Sequence, residues 1–240
     1  MAHVVVHSRA RAQQAAASSS RLHRLVGDIN WTLMMVAIVA GVLFTALSVL
    51  VAVHPAPFFF DRPIEVAVQS INGAWFGWFN TFVSGFAGFV GIGVGVAVIV
   101  LTFILRRRAT PLVVFSAVYA VVYNVVNIII RRPRPAGVAH ITSKTIGYGY
   151  PSGHVGFFVW LSVLAMILLA RKLPTPLYAA CWLLAAVFVA ATALSRIYVG
   201  AHWPSDVVGG LLLGIAWTCL SLSIGRLRRP ALDATPSRTA

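Results

Sequence analysis

The chain has 240 residues, 59% of them hydrophobic and only 10% charged, with a mean hydropathy of +0.87. A soluble domain carries roughly a quarter charged residues, so this composition excludes an ordinary water-soluble domain and places the chain in lipid. A net charge of +14 would point to nucleic acid in a soluble protein, but here the basic residues cluster in short connections between apolar runs, where they set topology. No nucleic-acid partner is therefore expected.

In chain order, residues 1–30 read as a basic, disordered tail carrying Arg9, Arg11, Arg21 and Arg24 and an Ala/Ser-rich stretch. The first apolar run, Trp31 to Val53, is longer than a signal-peptide core and reads as an uncleaved anchor. Further runs follow at about Phe86–Leu105, Pro111–Ile130, His154–Ala170, Thr175–Leu194 and Ser205–Gly225. Each is near the roughly 20 residues that cross a hydrocarbon core of about 30 Å. The expected fold is all-α, a polytopic bundle of six transmembrane helices. The expected division is a tail (1–30), a membrane domain (31–225) and a second basic tail (226–240). Alternating ten-residue strands are missing from the sequence, so a β-barrel is not expected.

Between the first two runs, Asp61 to Phe82 mixes Glu65, Gln69, Asn72 and Asn80 with Trp75 and Trp78. That mixture reads as one additional interfacial helix roofing the site, or equally as a loop with an aromatic belt. The glycines at 85–95 and at 209, 210 and 214 lack the Lys-Ser/Thr of a phosphate loop and are expected to serve close helix packing. Cys181 and Cys219 lie in apolar runs and imply no disulfide framework. No Cys/His grouping has zinc spacing, and neither metal nor cofactor is expected.

Orientation follows from the basic residues. With the N-terminus inside, 13 Lys and Arg fall on the cytoplasmic side and six on the other. The positive-inside rule then puts both termini in the cytoplasm. Ala/Val-rich spans and the basic tail fit a bacterial plasma membrane.

Three polar clusters share the outer edge of the bundle under this topology. The first is Ser195-Arg196-x5-His202-x3-Asp206. Pro204 suits the first turn of the last span, leaving His202 at the helix mouth with Asp206 one turn in. A carboxylate there can fix one imidazole nitrogen and free the other to attack, the nucleophile–orienter arrangement of covalent catalysis. A capping aspartate beside an interfacial histidine is the bland alternative. The second cluster, Pro151-Ser152-Gly153-His154, opens the fourth span. Gly153 permits close backbone approach, helix-end amides and the Ser152 hydroxyl donate to an anion, and His154 has the proton affinity of a general acid. The third, Arg131-Arg132-Pro133-Arg134-Pro135, offers guanidinium forks on a stiff turn, which suit phosphate oxygens.

The second and first of these clusters, Pro-Ser-Gly-His and Ser-Arg-x5-His-x3-Asp, match without gaps two signatures of the type 2 phosphatidic acid phosphatase superfamily. The chain resembles that family over about residues 60–225. Its remaining signature, Lys-x6-Arg-Pro, is matched at Arg134-Pro135, but Asn127 stands at the lysine position. The six-helix membrane form looks like the lipid phosphatase branch. The resemblance implies a metal-independent phosphatase acting on a lipid phosphate or diphosphate: phosphatidic acid, phosphatidylglycerol phosphate or a polyprenyl diphosphate. It implies His202 as the nucleophile forming a phosphohistidine, Asp206 orienting it and His154 protonating the leaving group. Arg134, Arg196, Ser152 and the Gly153 amide are then the phosphate ligands. Asn127 can donate hydrogen bonds but carries no charge, and Arg131, one turn beyond it, is the expected substitute. Two alternatives stay open: a phosphotransferase using the same intermediate, and a catalytically impaired lipid-binding relative. The sequence leaves the oligomeric state open.

Overall fold

The computed structural model describes residues 28–71, 74–86, 89–135, 147–168 and 173–233. Most of the expected N-terminal tail, together with His140, Lys144 and the Arg171-Lys172 connection, lies outside the described residues.

Asn30 opens the first helix by accepting the Leu33 amide at 3.0 Å, so a side-chain oxygen satisfies one of the free N–H groups at the helix start. Helix α1 then runs Trp31–Val53. It is followed by α2 (Asp61–Gln69), α3 (Ala74–Ser84) and α4 (Phe89–Leu105). A short 3₁₀ turn (Arg107–Ala109) leads into α5 (Thr110–Ala117) and α6 (Tyr119–Ile130). The chain continues with α7 (Gly153–Leu168), α8 (Thr175–Tyr198), α9 (Pro204–Ser223) and α10 (Gly225–Asp233). Among the described residues the fold is all helical, with a single isolated bridge between Ile29 and Ile224.

Four segments are long and apolar enough to cross a membrane alone: α1, the continuous stretch Arg107–Ile130, α8 and α9. Helix α4 has 17 residues and reaches the length only together with α3, from which it bends by 69°. Helix α7 has 16 residues. Six apolar segments therefore stand where six spans are expected, but length and composition support four spans, or five if the bent pair counts as one. The interfacial segment is also not one helix. It is two, with Ser70 closing α2 before α3 begins. The basic segment after the last span starts as α10, packed against the 3₁₀ turn and α5.

Helix α9 is the centre of the bundle. More than half of its apolar window (56%) is buried, against 22% for α1 and 6% for α8, and it packs against both α1 and α7. Its glycines make this possible. A Cβ on Gly214 would sit 3.0 Å from the Val159 Cβ and 3.1 Å from the Gly156 Cα, and one on Gly210 would meet the Ser152 carbonyl. These contacts bear out the close-packing reading there. They do not extend it to Gly93 and Gly95, where an added Cβ meets nothing within 4 Å.

One apolar cluster (Leu112, Val113, Trp160, Leu164, Leu168, Leu222) fills the end of the bundle that carries α10. There Asn30 N–H bonds the Ser223 carbonyl at 2.9 Å and Arg229 pairs with Asp28 at 3.0 Å. The starts of α7 and α9 lie at the other end, where the polar clusters gather.

Candidate functional site

Three chain segments far apart in sequence are tied together at that end by hydrogen bonds. The Ser152 amide donates to the Asp206 carbonyl at 2.9 Å, Arg134 Nη1 donates to the Ala201 carbonyl at 2.6 Å, and His202 Nδ1 lies 2.6 Å from the Gly149 carbonyl. The end of α6, the start of α7 and the turn between α8 and α9 thus form one site.

His202 is almost fully buried, and its contacts fix its chemistry. A carbonyl oxygen can only accept, so the short contact with Gly149 requires the proton on Nδ1. Nε2 is then left with its lone pair, 3.4 Å from Arg134 Nη1. Burial, then the positive charge of Arg134 and the His154 ring, hold the His202 imidazole well below its ordinary titration range. Arg196 adds to this, and the Gly149 bond opposes it. A neutral imidazole with a free Nε2 is the nucleophilic form. Arg134 is held by the Gly147 and Ala201 carbonyls at 3.1 and 2.6 Å. Its own titration is lowered by burial, with Tyr123 and Asp206 opposing.

Asp206 lies beside the imidazole but makes no hydrogen bond to it. Its Oδ2 is 3.9 Å from His202 Nδ1 and accepts the Trp203 amide at 2.9 Å, while Oδ1 binds Arg132 Nη1 at 2.6 Å. Four residues of spacing bring the carboxylate beside the imidazole, but the start of α9 and Arg132 claim its oxygens.

Ser152 lies fully buried with no protein partner for its hydroxyl, and the same is true of His154 Nε2 and Arg196 Nε. Gly153 faces Tyr123, whose ring would lie 2.7 Å from an added Cβ. Arg196 Nη2 donates to Ser195 Oγ (2.8 Å), Ser84 Oγ (3.0 Å) and the Asn80 carbonyl (3.4 Å). Asn127, at the position of the expected lysine, donates through Nδ2 to the Tyr148 and Tyr150 carbonyls at 3.1 and 2.8 Å. It therefore braces the turn that presents the Gly149 carbonyl to His202. Arg131 does not extend the helix as its spacing implies. It closes α6 in the left-handed conformation (φ 53°), is exposed, and donates Nε back to the Ile128 carbonyl at 2.9 Å. The left-handed cap swings its side chain off the face that Asn127 occupies.

Arg132, to which the sequence assigns no role of its own within this arginine run, is the most enclosed of the three. It has no exposure and is enclosed by acceptors: Asp206 Oδ1, Ser205 Oγ (2.7 Å), Asp61 Oδ2 (3.0 Å) and the Pro55 and Ala56 carbonyls (3.1 and 3.0 Å). Asp61, equally buried, also accepts the Ser205 amide at 2.9 Å, the Ser205 hydroxyl at 2.7 Å and the Phe58 amide at 2.9 Å. This ion cluster fastens α2 to the start of α9. A signal existed: Asp61 is one of only five acidic residues in the chain, and an acid at the edge of an apolar protein needs a partner.

Against this geometry, residues 108–230 match the PAP2 superfamily as a family. The chain belongs to the PAP2 superfamily. It is 33% identical over 138 residues, 55% of its length, to an undecaprenyl-diphosphatase of Sulfolobus acidocaldarius. It is 32% identical over 117 residues, 47% of its length, to undecaprenyl-diphosphatase BcrC of Bacillus subtilis. The chain spans 63% and 55% of the lengths of these two relatives. Its fold is similar to the crystal structure of a transmembrane PAP2-type phosphatidylglycerolphosphate phosphatase from Bacillus subtilis. The TM-score is 0.62 at 18% identity, covering 77% of this chain and 93% of that one. With its apolar spans and PAP2 fold, the protein is an integral membrane protein.

Proposed function

We propose that the protein is a membrane phosphatase that hydrolyses a lipid phosphate or diphosphate through a phosphohistidine on His202. The observation that carries this reading is the His202 imidazole, protonated at Nδ1 by its contact with Gly149 and bare at Nε2 beside Arg134.

The chemistry follows in two steps. His202 Nε2 attacks phosphorus, the N–P bond forms as the P–O bond to the lipid breaks, and the leaving oxygen takes a proton from His154. A water then gives its proton to His154 and attacks the phosphorus. The N–P bond breaks, inorganic phosphate leaves, and both histidines return to their starting states. Arg134, Arg196, the Ser152 hydroxyl and the Gly153 amide hold the phosphoryl oxygens. Fixed donors aimed at developing charge are worth most in such a buried site. Asp206 stabilises the imidazolium from 3.9 Å and positions the turn that carries His202. The names of the two curated relatives favour a polyprenyl diphosphate among the candidate substrates, with phosphatidic acid and phosphatidylglycerol phosphate as the other classes.

The site faces the extracytoplasmic side of a bacterial plasma membrane in this reading, with both termini cytoplasmic. The positive-inside count supports it, as does the separation of the site from the bundle end that carries Asp28 and α10. The phosphotransferase alternative uses the same intermediate, with an alcohol in place of water.

The test is phosphate release by detergent-purified protein, with chelator present, across lipid monophosphates and diphosphates. Release from at least one class, abolished by His202→Ala, is the expected result. Release that requires added divalent metal counts against the mechanism.

A further inference from the structure

Buried polar atoms without a protein partner are few among the described residues, and they are concentrated. Five of the seven such side-chain atoms belong to Ser152, His154, Arg196 and Asn80. The sequence marks the first three as phosphate-binding or proton-transfer residues. Asn80 carries no motif, lies on α3 rather than on any of the three clusters, and contributes two of the five atoms, Nδ2 and Oδ1.

Its surroundings make the carboxamide costly. Asn80 is only 5% exposed and shares its helix with Phe76, Phe79, Phe82 and Val83. Phe76 and Phe79 stack with ring centroids 6.4 Å apart, and Phe76 meets Tyr198 at 4.8 Å. A leucine at position 80 would fill the space without stranding a donor and an acceptor. Arg196 Nη2 donates to the main-chain carbonyl of Asn80 and to Ser84 Oγ one turn on, and its Nε is also unpartnered. The Arg196 main-chain carbonyl in turn accepts the Ala201 and His202 amides at 3.1 and 3.3 Å.

We propose that Asn80 is a substrate-binding residue: its carboxamide, with Arg196 Nε, takes phosphoryl oxygens of the lipid headgroup beside the phosphate held at Arg134 and His202. Nδ2 donates to an ionised oxygen, and Oδ1 accepts from a protonated one. The shared chemistry is the phosphoryl oxygen, which belongs either to the phosphate being transferred or to the second phosphate of a diphosphate. Helix α3 thereby acts as a wall of the site. The inference rests on the phosphatase reading.

The experiment uses full-length Asn80→Leu and Asn80→Ala in detergent beside wild type. Melting temperature is recorded alone, with orthovanadate and with pyrophosphate, and kcat and KM are measured on phosphatidic acid and on farnesyl diphosphate. Losing a hydrogen bond to a charged oxygen costs roughly ten- to hundredfold in affinity. The expected result is a KM raised by that factor for the diphosphate at least, with a smaller change in kcat, and an unliganded melting temperature equal to or above wild type. An effect on both substrates together with a smaller vanadate shift assigns Asn80 to the transferred phosphate; an effect on the diphosphate alone, with the wild-type vanadate shift, assigns it to the second. Variants that melt lower without ligand yet keep the wild-type KM and vanadate shift overturn the proposal and leave Asn80 a structural tie. Unchanged values throughout overturn it too, as does a wild type that vanadate fails to stabilise. If wild type releases no phosphate, the phosphatase reading fails separately, and the melting shift induced by pyrophosphate, smaller in the Asn80 variants if the proposal holds and equal to wild type if it fails, still decides the role of Asn80.

Discussion

Replacing Arg132 by alanine should cost the protein its stability before its chemistry. The guanidinium is fully enclosed and bonded to two carboxylates, a hydroxyl and two carbonyls, at 2.6 to 3.1 Å. Its removal leaves Asp61 and Asp206 buried without their counter-ion. Breaking such a pair from one side costs about 3–5 kcal/mol. For a chain of this size each kcal/mol moves the midpoint by about 2–4 °C, so Arg132→Ala should melt roughly 6–20 °C below wild type. Thermal unfolding in detergent, followed by tryptophan fluorescence, reads this directly. Arg132→Lys, which can keep one of the two carboxylate contacts, should fall between. An Arg132→Ala protein that melts within 2 °C of wild type and loses only kcat would refute the reasoning and make Arg132 a phosphate ligand instead.

Asp206→Asn tests where the His202 tautomer is set. Gly149 still holds Nδ1–H in that variant, so the effect on the His202 ring is confined to charge, at most about 4 kcal/mol for unit charges 4 Å apart in a partly screened medium. One of the Arg132 and Trp203 contacts is lost as well, and the protein melts lower; kcat of the folded variant on a lipid phosphate should fall by roughly a thousandfold or less, and a loss of millions would make Asp206 the orienter. Asn127→Ala removes both braces from the turn at 148–150, so kcat should drop by roughly ten- to hundredfold, with Asn127→Asp no better because a carboxylate cannot donate; wild-type kcat in Asn127→Ala would show that the turn stands unaided. The titration of His202 predicts a stability slope. Its folded value is depressed below the unfolded value of about 6.5, so the unfolded chain binds the extra proton, and stability is full above about pH 6.5 and declines as pH falls toward the folded value. Melting temperatures of wild type and His202→Gln between pH 8 and 5 should diverge at high pH and converge at low pH; parallel curves would contradict the depressed value.

The apolar runs and the three polar clusters were legible because each is written in contiguous residues with a helical period or a fixed spacing. Pro204 at the first turn of α9 and the glycine packing of α7 against α9 were legible for the same reason. What escaped depends on backbone turns or on distance. Arg131, Arg132 and Arg134 look equivalent in sequence, yet a left-handed cap at Arg131 sends one outward, buries the next and aims the third at His202. The Gly149 carbonyl that fixes His202 has no side chain to advertise it. Asp61 and Asn80 lie well over a hundred residues before their partners Ser205 and Arg196, with no spacing rule to connect them. Asp206 sits at a spacing that fits an orienter, and the pull of Arg132 and the Trp203 amide became visible only in three dimensions.

The account stands on His202 Nε2 as the atom that receives the phosphoryl group. Rapid acid-free quench of purified protein mixed with a radiolabelled lipid phosphate, followed by peptide mapping, tests it most directly. The account predicts acid-labile, base-stable label on the peptide carrying His202, absent from His202→Ala. Turnover that proceeds with no label on that histidine, or undiminished in His202→Ala, would contradict it.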